Sequence, residues 1–230
     1  LKSFHSAATL GILVLSAACC LASPAADQKP SFAEDRGRFE ITVNGSKVGT
    51  EEFSVSKDGA GWVAKGTTEL HSAAGSGKVS GELHLNATGA PTRYDWSSDS
   101  GKKVTSNTTF EGSEAKMMTT IGSEKPIKQD FFFAPPVVIL DNNLYHQYEV
   151  IARIYNWTAR GPQNFSVLIP QEHMPGSVSV EATPAGAATG SAAEQLHVHS
   201  TDLDIFLFMD STHRLMRISV PSANAEIVRK

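Results

Sequence analysis

From Arg38 onward apolar and polar residues alternate with a period of two. Phe39, Ile41 and Val43 fall on one face and Arg38, Glu40 and Thr42 on the other. Strict alternation marks a strand buried on one side. Asn44-Gly45 follows, a pair suited to a two-residue hairpin turn, and then Phe53 and Val55 alternate with Glu52, Ser54 and Ser56. Similar runs recur at residues 62–70, 79–85 with His84 outward, 92–96, 103–110 and 115–121, separated by glycines such as Gly59, Gly75, Gly89, Gly101 and Gly112. Turn signals every ~8–12 residues predict an antiparallel meander, sandwich or barrel.

The rhythm breaks in the middle of the chain. Phe131-Phe132-Phe133 runs into Ala134-Pro135-Pro136, where two prolines forbid a continuing ladder, so a strand end leading into a crossing loop is expected. Asp141-Asn142-Asn143 then offers N-cap side chains, and Leu144, Tyr148, Ile151 and Tyr155 follow at helical spacing, widened by Val150 and Ile154. Glu149 and Arg153, four apart, are placed on the polar side, where they can pair. Strands resume at 165–169, 178–180, 195–199, 203–209 and 215–220, the last closed by Pro221, with a small-residue loop at 183–190. The run at 203–209 is apolar on both faces, with Leu203, Ile205 and Leu207 on one and Phe206 and Phe208 on the other, which predicts the most buried strand. The expected fold class is mainly β: a curved antiparallel meander, half-barrel or open barrel, of about a dozen strands wrapping one central helix.

Composition fits this picture. Of 230 residues, 40% are apolar, 19% charged and 8% aromatic, which is globular rather than disordered. The formal net charge of -4, with no basic stripe, argues against a nucleic-acid partner. The first residues change the domain reading. Lys2 is followed by an apolar run at 7–18 and then by small residues, the three-part form of a secretory signal peptide. Residues 1–25 are therefore expected to be a leader cleaved after Ala22 or, preferably, Ala25, leaving one exported β-domain at 26–230, periplasmic or extracellular. Both cysteines, Cys19 and Cys20, lie in this leader, so the mature chain would hold no disulfide. A membrane tether follows only if Cys19 or Cys20 is lipidated, and Ser16 and Ala17 stand where such signals usually place Leu.

Several scattered pieces resemble a known group: Phe39-Glu40-Ile41 with Val48-Gly49, Leu140-Asp141-Asn142-Asn143 with His146-Gln147-Tyr148, Ile169-Pro170-Gln171, and Asp210, Arg214-Leu215, Val220-Pro221 and Arg229. They resemble an uncharacterised family of exported bacterial β-domains, which also occur as the N-terminal accessory domain of secreted α/β-hydrolases. These domains are similar in turn to the half-barrels of periplasmic lipoprotein carriers. The resemblance implies a curved sheet cupping an apolar cavity closed by helices, while fold alone transfers no function.

Candidate chemistry is sparse. No Gly-x-Ser-x-Gly elbow is present, and Gly75-Ser76-Gly77-Lys78 lacks the spacing of a phosphate loop. His197 and His199, two apart on a strand, share a face and could offer two nitrogens to zinc, with His173, His213, Asp202 or His84 as further ligands. A closed site needs about four, so the pair is read as solvent-facing and no metal or other cofactor is expected. Asp141, Asn142, Asn143 and His146 cap the helix and fix the crossing loop, unless the helix start faces a cavity and receives an anion. The leading expectation is a non-enzymatic domain that binds a lipid-like ligand, or a segment of an exported protein partner, through Phe131, Phe133, Leu144, Tyr148, Ile151, Phe206 and Phe208. The rivals are a structural or interaction module with a filled core, an accessory domain to a secreted hydrolase, and a metal-dependent enzyme using His197 and His199.

Overall fold

A computed structural model describes residues 32–72, 75–184, 193–201 and 203–230. The expected leader with Cys19 and Cys20, most of the loop at 183–190, and Asp202 lie outside the described residues. The strands are β1 (Asp35–Val43), β2 (Ser46–Asp58), β3 (Gly61–Ser72), β4 (Gly75–Leu85), β5 (Pro91–Asp99), β6 (Lys103–Glu111), β7 (Glu114–Ile121), β8 (Ile127–Phe132) and β9 (Val137–Ile139), then β10 (Gln163–Ile169), β11 (Met174–Thr183), β12 (Glu194–His199), β13 (Asp204–Met209), β14 (Leu215–Val220) and β15 (Ala225–Arg229). Among the described residues a single α-helix, α1 (His146–Ile154), lies between β9 and β10. All fifteen strands form one sheet, ordered β8-β7-β6-β5-β4-β3-β2-β1-β15-β14-β13-β12-β11-β10-β9. Every pairing is antiparallel except β9 with β10, and the sheet curves without closing, an open half-barrel around α1. No helix among the described residues is long and apolar enough to cross a membrane.

Alternation explains most of this. Phe39 and Ile41 are buried on β1, and Asn44 and Gly45 both take positive φ, 52° and 75°, as a tight hairpin turn demands. The order of the strands follows from one pairing the alternation did not reveal. The chain does not end its sheet at Val220: Pro221 opens a single 3-10 turn, Pro221–Ala223, and β15 returns to pair with β1, Ile41 opposite Ile227. Pro fits the first turn of such a helix because its missing N–H has no intrahelical partner there. With only Ile227 fully buried, β15 has little hydrophobic pattern to announce it. Its effect is large, since it joins β1–β8 and β9–β15 into one sheet.

The core has two parts, and the helix serves both. Leu144 and Val150 pack with Leu83, Tyr94, Ile139 and Leu168, while Ile151, Ala152 and Tyr155 pack with Phe39, Leu196, Leu207 and Ile227. Two expectations need correcting. Glu149 and Arg153 are not on a solvent face: both are buried, paired at 2.6 Å, and Glu149 also accepts the Leu215 N–H at 2.7 Å. A helix inside a cup has no solvent face, so its polar side must find partners within. The run at 203–209 begins as a strand only at Asp204, with Leu203 39% exposed. Phe206 and Phe208 share the opposite face from Ile205 and Leu207, where Phe206 stacks on His197 and Arg217 covers Phe208.

Ile227 is the fully buried residue of the joining strand, so truncating it weakens the seam. Ile227→Ala is expected to cost ~2–5 kcal/mol in urea-induced unfolding. A cost below ~1 kcal/mol would show that β15 is not an integral part of the core.

Candidate functional site

The start of α1 is held from a strand nearly a hundred residues earlier. Glu51, on the inner face of β2, accepts the backbone N–H groups of Tyr145 (3.0 Å) and His146 (3.1 Å) on Oε2, and its Oε1 lies 2.6 Å from His146 Nδ1. Both side chains are fully buried. A carboxylate there satisfies otherwise orphaned donors and meets the positive end of the helix dipole. A carboxylate only accepts, so Nδ1 carries the shared hydrogen; Nε2 of His146 is buried with no partner among the described residues. A Cβ on Gly66 of β3 would overlap His146 Nδ1 and Glu51 Oε1, so that position has to be glycine for the imidazole to approach the sheet.

The expected cap is therefore corrected. Asp141, Asn142 and Asn143 precede the helix, but no side chain from the segment itself caps it. Asp141 instead ties the loop to two distant strands: Oδ2 accepts from Tyr94 Oη of β5 (2.9 Å), and Oδ1 accepts the Gln171 N–H just after β10 (2.9 Å). Gln147 donates to Tyr94 Oη at 3.0 Å, and Thr68 of β3 donates to the Asn143 carbonyl. Burial pushes the Asp141 carboxyl up to about 7, against the Gln171 and Tyr94 hydrogen bonds that favour its charge. The Tyr94 hydroxyl stands far above its ordinary range, through burial and the neighbouring Asp141 charge. Burial, aided by Glu51, pushes Tyr145 up to about 12.

Beside this polar hub the concave face is not filled. A half-open cavity of about 710 Å³ separates the helix start from β10–β15. Val167, Ile169, Val178, Val198, Ile205 and Ile227 form its walls, Tyr145 and Tyr148 its roof, and Asn142, Asn143, Ser200 and Thr201 its rim, with Met174 and Leu203 exposed at the mouth. The Tyr148 hydroxyl makes no hydrogen bond among the described residues. A second cavity, about 760 Å³, lies at the other end of the helix beside Pro135, Pro136, Ile154 and Phe165.

Of the seven residues read from sequence as ligand-binding, Tyr148 lines the first cavity. Phe133, Leu144 and Ile151 are buried in the core, and Phe131 packs against its edge, 6.3 Å from Phe133. Phe206 and Phe208 lie on the outer face of β13, as above. The residues that wall the cavity sit on strands whose alternation was legible, but alternation gives a face and not whether that face is filled. Glu51 was missed because nothing local marks one glutamate among several polar residues of β2.

His197 and His199 share a face, ring centroids 5.1 Å apart, and His197 is held by Asp204 at 2.7 Å and Glu181 at 3.8 Å. Among the described residues no group of three or more His, Cys, Asp or Glu is placed to hold a metal ion. An anion at the helix start is displaced as a reading, since the Glu51 carboxylate already occupies its donors.

No protein-family model matches the chain, and no curated protein matches it. Among solved structures the chain is similar to a DUF1089 family protein from Pseudomonas aeruginosa, with a TM-score of 0.45 and 10% identity, over 75% of this chain and 90% of that one. The functional reading therefore rests on the residues of this chain.

A carboxyl whose pKa is higher folded than unfolded adds stability below its unfolded value of about 3.8 and loses it as pH rises to about 7. Relative to Asp141→Asn, the wild type is expected to lose on the order of 4 kcal/mol across that window and to level off above it. Urea unfolding of both proteins at several pH values checks this, and a wild-type-minus-variant difference independent of pH would contradict it.

Proposed function

We propose that this chain is a non-enzymatic exported domain that binds an apolar, lipid-like ligand between the helix and the concave face of β10–β15. The observation that carries the reading is the half-open cavity of about 710 Å³ under Tyr145 and Tyr148. Its size falls within the ~300–1,000 Å³ of small-molecule sites, and its apolar walls with a few convergent polar groups match their usual lining. Burying an acyl or other hydrocarbon body against such walls gains roughly 25 cal/mol per Å² of apolar surface removed from water. The free hydroxyl of Tyr148 and the amides of Asn142 and Asn143 supply orientation. Glu51 and Asp141 behind the roof disfavour an anionic group at the helix start, so the polar end of the ligand is neutral or zwitterionic there, or points out of the mouth.

A binding role rather than a catalytic one is supported by how the buried carboxylates are used. Glu51 is spent on the helix start and His146, Asp141 on Tyr94 and Gln171, and Glu149 on Arg153 and Leu215. Export is supported by the leader-like residues 1–25, and kinship with exported β-domains by the resemblance given above.

A Cβ on Gly176 of β11, which lines the cavity, would meet no atom within 4 Å, so a large side chain enters empty space there. Wild-type protein is expected to bind the neutral apolar probe N-phenyl-1-naphthylamine and to yield lipid on solvent extraction and mass spectrometry. Gly176→Trp/Val178→Trp is expected to weaken probe binding at least tenfold while leaving the urea midpoint unchanged or raised. Equal probe affinity of the two proteins, or no binding and no lipid with the wild type, would refute the reading and leave a structural module.

A further inference from the structure

The two edges of the half-barrel differ. β9 is three residues long, and Val137, Val138 and Ile139 are all buried. β8 runs six residues with no strand on its outer edge among the described residues, and this corner carries three of their five exposed large apolar side chains: Phe132 at 75%, Ile127 at 44% and, next to it on β7, Met118 at 44%. An exposed apolar edge is a template for pairing with another strand. Lys128 and Asp130, also exposed, make no ion pair or hydrogen bond among the described residues.

The phase of this edge is fixed. Phe133 N–H donates to the Ser113 carbonyl at 2.9 Å, and the β7–β8 register runs without a bulge from Glu114–Phe132 to Thr119–Ile127. Antiparallel residues alternate between facing the partner strand and facing away, so Phe131, Gln129 and Ile127 bond to β7. The free N–H and C=O groups are then those of Lys128, Asp130 and Phe132.

We propose that β8 pairs with β8 of a second copy of this chain in an antiparallel, twofold register centred on Gln129, joining two half-barrels into one continuous sheet. Two in-phase registers overlap five residues of each strand. One is centred on Asp130 and sets two aspartates face to face. The other, centred on Gln129, sets Lys128 opposite Asp130 of the second copy, twice, and aligns their free backbone groups. It also sets Ile127 against Phe131 on the inner face and Phe132 against Pro126 on the outer, covering both exposed apolar side chains of the edge. Like charges directly opposite oppose pairing and unlike charges support it. The two Gln129 side chains meet on the axis, where the amide, whose Oε1 is buried without a partner among the described residues, gains one by rotation.

Sedimentation of the full chain tests this independently of the ligand reading. The wild type is expected to be a dimer at micromolar concentrations. Lys128→Asp, which opposes aspartates in both pairs, is expected to weaken dimerisation at least tenfold, and Lys128→Asp/Asp130→Lys to restore it. Both sites are exposed, so circular dichroism should not change. In a Cys19→Ser/Cys20→Ser background, Gln129→Cys is expected to form a disulfide-linked dimer on air oxidation, because Cα atoms of such a non-hydrogen-bonded pair lie about 4.5 Å apart. Phe132→Cys, far from its symmetry mate, is expected to stay unlinked. A monomeric wild type, a Lys128→Asp variant that dimerises equally well, a swap that fails to restore, or a cross-link at Phe132 in place of Gln129 would each overturn the proposal.

Discussion

The carboxylate of Glu51 on the first two N–H groups of the helix is the interaction on which the rest of the interior depends. A nine-residue helix is too short to be stable alone in water and draws its stability from what it packs against. Here its start lies beneath a sheet, away from water that would otherwise satisfy its free donors. Glu51 supplies what solvent cannot, and His146 in turn supplies a hydrogen to the carboxylate. The arrangement carries a desolvation cost, since taking a charge from water is unfavourable unless several donors converge on it. Three do. The close fit extends to Gly66, where any side chain would displace the imidazole.

With its start fixed, the helix cannot sink further into the cup, and this is what keeps the cavity open. Tyr145, itself anchored to Glu51, and Tyr148 on the first turn form a roof over the space below. Asp141 and Gln171 tie the same loop to the end of β10, while Tyr94 and Thr68 tie it to β5 and β3. The two halves of the half-barrel thus meet at one polar hub on the inside and at one strand pair, β1 with β15, in the sheet. The hub fixes the position of the helix start through hydrogen bonds from three directions, although Nε2 of His146 has no partner among the described residues.

How much of this was legible depends on the range of the signal. Alternation at Phe39-Glu40-Ile41, the Asn44-Gly45 turn and the helical spacing of Leu144, Tyr148 and Ile151 are local, and they placed most strands and the helix. The Phe131 run leading into two prolines also read correctly as the end of a strand, β8, before a crossing. The return of β15 to β1 is a pairing across almost the whole chain, and a short strand with one buried isoleucine gives no local sign of it. Glu149 and Arg153 were read by spacing as a pair on the polar side of the helix, and they do pair, but spacing reports who can meet and not that both are buried. The cap from Glu51 is a contact between residues 95 apart, invisible to any window. The site residues follow the same rule. Aromatic runs drew attention to Phe206 and Phe208, yet the cavity is lined by ordinary valines and isoleucines that also belong to the core, such as Val167, Val198 and Ile205.

The central claim is that one distant carboxylate holds the helix in place, and hydrogen exchange tests it most directly. Substituting Glu51→Ala removes the acceptor of two N–H groups and leaves His146 unpaired in the interior, while keeping the β1–β15 seam. Amide protection across His146–Ile154 should then fall at least a hundredfold relative to the wild type, with protection at Ile41 and Ile227 largely kept. Helix protection that stays at its wild-type level would contradict the account.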